Sequence, residues 1–133
     1  MQAPWAEDYL AAYPGTADQV RSGLSRGVYP AADKRAAKAA IEAPVLRMAE
    51  RMIRAGRFPS GLSSEEYFER MHISYGSPDE VAGRLATDRV LPLATDLIVQ
   101  FSPASPALDE AIAGLELLAT QVAPALGWKP EAR

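Results

Sequence analysis

Between residues 72 and 126 the chain alternates twice between a strand-length run and an amphipathic helical stretch. That alternation limits the fold more than any other feature. His72-Ile73-Ser74-Tyr75 alternates in polarity and stops at Gly76. Ser77-Pro78-Asp79-Glu80 then supplies a helix start. It offers a hydroxyl to cap free amides, a proline where the missing N–H costs nothing, and two carboxylates at the positive helix end. Val81 and Leu85 give that helix a buried side. Asp96 to Phe101 is a compact apolar run, expected as a strand buried on both faces. Leu108, Ile112, Leu115, Ala119 and Val122 follow at helical spacing on one side of a last helix. Strand, helix, strand, helix predicts parallel strands joined by right-handed crossovers.

The first half contributes mainly helix. Residues 1–19 read as an extension or short helix, with Trp5 to Tyr13 helical and Pro14-Gly15 as its stop. Val20 to Tyr29 suits a short strand better than a helix, because Gly23 and Gly27 weaken a helix. Asp33 opens a long helix to about Ala55, with Ala37, Ile41, Val45, Met48 and Met52 as its buried stripe. Pro44 should break or kink it, or divide it into two helices near Ala43. Ser63-Ser64-Glu65-Glu66 is a capping box for a helix to about Arg70. Trp128 is expected to fold back onto the body.

Length and charge then exclude whole classes. The 133 residues fit one domain and fall well short of the roughly 250 that a closed eight-stranded barrel needs. With no cysteine there is no disulfide framework, thiolate metal site or cysteine nucleophile. The first residues lack the basic and apolar regions of a signal peptide, and no apolar run reaches membrane-spanning length. A cytoplasmic location is the expectation. The net charge of −3 hides seven basic against three acidic residues between Asp33 and Arg57, a local +4. The remainder carries −7, which argues against a nucleic-acid-binding face. The basic helix reads as a solvated face over a core rather than a membrane surface, since its stripe lacks aromatic anchors.

Few residues carry chemistry of their own. His72 is the one histidine, so a metal site would rest on carboxylates, and no metal-ligand spacing occurs. Its structural reading outweighs a ligand role. No Gly-x-Ser-x-Gly elbow supports a serine nucleophile. Gly76 and Ser77 could present backbone amides to a phosphate or carboxylate at a helix start, with Tyr75 and His72 on the rim of such a pocket. Plain helix capping explains the same residues more simply.

The stretch His72-Ile73-Ser74-Tyr75-Gly76-Ser77-Pro78-Asp79-Glu80-Val81-Ala82-Gly83-Arg84-Leu85 resembles a recurrent segment of the bacterial luciferase-like monooxygenases, in which a strand runs into Gly-Ser/Thr-Pro-Glu-Glu-Val. Asp96-Leu97-Ile98-Val99-Gln100-Phe101 is similar to that family's last barrel strand. Glu116 to Leu126 resembles its final helix, which ends in a Val-x-Pro-x-Leu pattern. Gly23 to Ala37 looks like the sixth strand and the helix after it. The resemblance covers residues 20–128. It implies an α/β, helix-rich fold, a partial (β/α)8 TIM-barrel-like unit of about the last three strands and their helices.

The resemblance further implies an oxidoreductase ancestry in flavin-dependent monooxygenation, with FMN or the deazaflavin F420 as cofactor. The family elements that hold most of the cofactor lie on earlier strands, which have no counterpart here. Where some members carry an arginine and a histidine near the substrate, this chain has Ser25 and Gly27. No catalytic residue carries over. The chain is therefore expected to be a truncated monooxygenase, inactive alone unless a homo-oligomer or a second chain supplies the missing strands. The alternative is a noncatalytic helical interaction module or an anionic-ligand binder that binds no cofactor.

Overall fold

The computed structural model describes residues 2–16 and 19–129. Helix α1 (Ala3–Ala12) leads to strand β1 (Gly23–Pro30), helix α2 (Lys34–Arg54) and helix α3 (Ser64–Arg70). Strand β2 (Ile73–Gly76), helix α4 (Pro78–Ala86), a 3-10 turn (Leu91–Leu93) and strand β3 (Asp96–Gln100) follow. Helix α5 (Leu108–Leu117) continues through a π turn (Leu118–Val122) into the short α6 (Ala123–Ala125). The fold is helix-rich α/β with three parallel strands, as the alternation required. No helix among the described residues is long and apolar enough to cross a membrane.

The strand order is β2-β1-β3. Strand alternation and register sort the side chains into two faces. Leu24, Arg26 and Val28 share one face with Ser74, Leu97 and Val99; Gly27 and Tyr29 share the other with Ile73 and Tyr75. On the second face Tyr29 and Ile73 pack against Ile41, Val45 and Ala49 of α2 and Tyr67 and Phe68 of α3. On the first, Val28 packs with Val81 and Leu85 of α4 and with Leu118 and Val122 of the π turn. Helices thus cover both faces. A right-handed crossover leaves its helix on opposite faces when successive strands are added to opposite sides, as β2 and β3 are. A barrel sector orders its strands consecutively and keeps its helices on one outer side. The arrangement here departs from that expectation.

Local chemistry sets the helix ends. Asp33 caps α2 by accepting from the Ala36 amide, and Ser63 and Ser77 both form reciprocal capping boxes with Glu66 and Glu80. Pro44 does not divide α2, which runs unbroken for 21 residues. The carbonyl that loses its partner belongs to Ala40 on the exposed side, where water can replace the bond. The buried stripe of α2 is Ala37, Ile41, Val45 and Ala49; Met48 and Met52 sit half-buried beside it.

Two burial expectations are corrected. Among the described residues strand β3 pairs with β1 alone and is an edge strand; Ile98, which shares a face with Ser25, is 54% exposed, so the run is not buried on both faces. On α5, Leu108, Ile112 and Leu115 face outward, while Gly114, Leu118 and Val122 are buried. Gly114 decides the docking face. A Cβ at this position would lie 2.9 Å from the Phe101 ring, so the helix approaches the sheet on the side that has no side chain. Trp128 does return to the body, lining a groove with Leu97 and Leu126, but remains half-exposed.

Candidate functional site

Strand β2 separates the residues that the sequence grouped together. At about 3.3 Å per residue, the five steps from His72 to Ser77 along β2 set them about 16 Å apart at opposite ends. Tyr75 lies on the α2 face, where its ring meets Phe68 edge-on at 4.8 Å and Lys34 approaches its centroid at 5.6 Å. It borders a shallow polar groove with Glu65, Glu69, Glu80 and Arg84. Burial pushes the Tyr75 hydroxyl pKa up, helped by the Glu65 charge.

At the other end of β2, Gly76 and Ser77 form the start of α4. The Ser77 amide donates to the Glu80 carboxylate at 2.8 Å, and the Glu80 amide donates back to Ser77 Oγ at 3.3 Å. Gly76 has φ +133°, and a Cβ there would sit 2.5 Å from Glu80 Oε2. Glycine is required because the Glu80 side chain folds over it. The carboxylate that an external anion would supply therefore comes from the chain itself. Gly76 and Ser77 offer no cradle for the phosphate of FMN or F420 while Glu80 holds this position.

His72 belongs to a different place. Helix α4 leaves the C-terminal end of β2 and returns alongside it, so its last turn lies level with the start of that strand. His72 and Ser74 there line a cavity of about 440 Å³ with Arg26, Arg84, Thr87 and Asp88. Arg26 and Asp88 are the residues that sequence reasoning missed. Arg26 is 3% exposed; its Nε donates to Asp88 Oδ2 at 2.6 Å and its Nη1 to the Ser25 carbonyl at 2.9 Å. An arginine between Leu24 and Val28, on the apolar parity of the strand, was the available signal.

Electrostatics follow from that pair. Burial pushes the Asp88 carboxyl up, but the Arg26 hydrogen bond, the Val90 amide and the Arg26 charge outweigh it and hold the pKa below the ordinary 3.8. Partial desolvation and the Arg26 charge push the His72 imidazole below its ordinary 6.5, against the attraction of Asp88. His72 is thus mainly uncharged near neutral pH. Among the described residues, no group of three or more histidine or acidic side chains could hold a metal ion.

The backbone of His72 is also unusual. Its φ is +52°, the left-handed region, and its amide donates to the Glu69 carbonyl at 3.0 Å to close α3. Glycine commonly takes this position because a side chain there costs energy. His72→Gly is expected to stabilise the fold by about 0.5–1 kcal/mol, measured as a rise in the urea midpoint. A lower midpoint would mean that the imidazole contributes more through its contacts than its backbone loses. No protein-family model matches the chain, and no curated protein matches it.

Proposed function

We propose that this chain is an incomplete α/β unit of luciferase-like oxidoreductase ancestry, which joins a second chain at the free edge of β3. The observation that carries this reading is that edge. Among the described residues Leu97-Ile98-Val99-Gln100 has no strand on its outer side, and it carries no lysine or proline of the kind that usually protects an exposed edge. Ile98 is 54% exposed there. In this reading the FMN- or F420-dependent chemistry of the resembled family needs strands from a second copy or a companion chain. The phosphate grip lies with those strands, because Glu80 already occupies the amide of Ser77. This chain's part is to offer the edge and its sheet.

A second reading is favoured by the strand order. With β1 central and helices on both faces, the three strands form a self-covered layer, as a noncatalytic interaction or binding module would. One preparation separates the two readings. Purified protein is expected to elute larger than a monomer, and Ile98→Lys to shift it to the monomer position without loss of helical signal. Titration with FMN and F420, followed by visible absorbance, then tests the chemistry. Binding by the associated form supports the oxidoreductase reading. A strict monomer that ignores both cofactors would leave the noncatalytic module standing in its place.

A further inference from the structure

We propose that the cavity between β1, the start of β2 and the end of α4 binds a phosphoryl group, free or as a small ester. Arg26, Ser74 and Arg89 are its contacts, with His72 on the rim. This site is independent of any flavin chemistry. It lies at the start of β2, away from Gly76 and Ser77 at that strand's C-terminal end.

Ser74 is the first observation. It is 4% exposed, yet its hydroxyl makes no hydrogen bond to any described residue. No buried side-chain oxygen among the described residues is sealed off without a partner. Ser74 Oγ therefore opens into the cavity it lines. A hydroxyl that faces the cavity with no protein partner is free to bond a ligand oxygen there.

The second observation is charge. Arg26 spends Nε on Asp88 and Nη1 on the Ser25 carbonyl, which leaves Nη2 without a partner among the described residues. Arg89 lines the same cavity and makes no ion pair among the described residues, whereas Arg84 is shared with Glu69. With Arg26 paired to Asp88 and Arg84 to Glu69, Arg89 leaves a net positive charge at the cavity wall. Guanidinium donors match the several acceptor oxygens and the double charge of a phosphoryl group better than a single carboxylate. The Ser74 hydroxyl can donate to a remaining oxygen, whereas the Thr87 hydroxyl is spent on the Arg84 carbonyl at 2.8 Å.

Because His72 is the single histidine, one imidazole Hε1 signal reports on the site in untagged protein. Inorganic phosphate and methyl phosphate are titrated separately against that signal by proton NMR. A saturable shift is expected, together with a raised His72 pKa, since a bound dianion favours the imidazolium. Tighter binding of the ester would identify a phosphomonoester ligand, and tighter binding of phosphate the free ion. Ser74→Ala and the exposed Arg89→Gln should each weaken binding about tenfold with an unchanged fold by circular dichroism. Three results would each overturn the proposal: no saturable shift, an equal response to acetate, or binding that survives both substitutions.

Discussion

Asp88→Ala is expected to cost about 3 kcal/mol of stability near neutral pH, measured by urea denaturation, because it strands a guanidinium inside the fold. Arg26 is 3% exposed and its Nε has Asp88 as its acceptor, so removal of the carboxylate leaves a charge out of water. Replacing both residues, as Arg26→Met with Asp88→Leu, should cost less than the single change, since no unpaired charge remains. The pH dependence has a definite sign. The folded carboxyl titrates below its ordinary 3.8, so the unfolded chain takes up the proton first. The stabilisation is complete above the unfolded pKa and is lost as pH falls through the folded one. The wild type should therefore lose stability below about pH 4, and Asp88→Ala should lose less over that interval. A loss under about 1 kcal/mol at neutral pH would show that the guanidinium finds water and the pair is effectively exposed.

Phe68→Ala is expected to cost about 4 kcal/mol, a large share of the 5–15 kcal/mol typical of a whole domain. The ring is 1% exposed and belongs to the cluster of Ile41, Val45, Tyr67 and Ile73 between α2, α3 and β2. Truncation opens a cavity and removes the edge-on contact with Tyr75. Differential scanning calorimetry should show a much lower melting temperature. Near-ultraviolet circular dichroism should show a changed Tyr75 environment. A melting temperature within a few degrees of wild type would mean that the α3 layer repacks and is not fixed by this ring.

Much of this was legible from local chemistry. The capping boxes at Ser63 and Ser77 announce themselves within four residues, and the structure places both helices where those boxes begin. The parallel strands followed from the alternation alone. What stayed hidden depends on which strand lies beside which. Asp96 to Gln100 has the composition of a central strand, but among the described residues it lies at the sheet edge, where the α2 and α3 layer does not cover Ile98. The outward face of α5 was illegible for a similar reason. Leu108, Ile112 and Leu115 form a regular apolar stripe, and only the approach of Phe101 to Gly114 turns it away from the sheet.

The candidate site shows the same division. His72, Tyr75, Gly76 and Ser77 are adjacent in sequence, and a four-residue strand sends them to different faces and different ends. The partners of His72 come instead from positions far along the chain, Arg26 and Asp88, 62 residues apart. Sequence proximity grouped residues that the fold separates. The parity of Arg26 within its strand was the one local trace of the real neighbourhood.

The central position of β1 has a consequence for how the chain assembles. Both neighbours of this strand are encoded downstream, so a chain emerging from the ribosome holds β1 for some time with neither edge paired. Loop-closure entropy opposes each pairing before any contact rewards it. Helix α2 and its capped successor can form in that interval from local contacts, but the sheet cannot. Strand β1 is enclosed on both sides only once β3, the most downstream of the described strands, has paired with it.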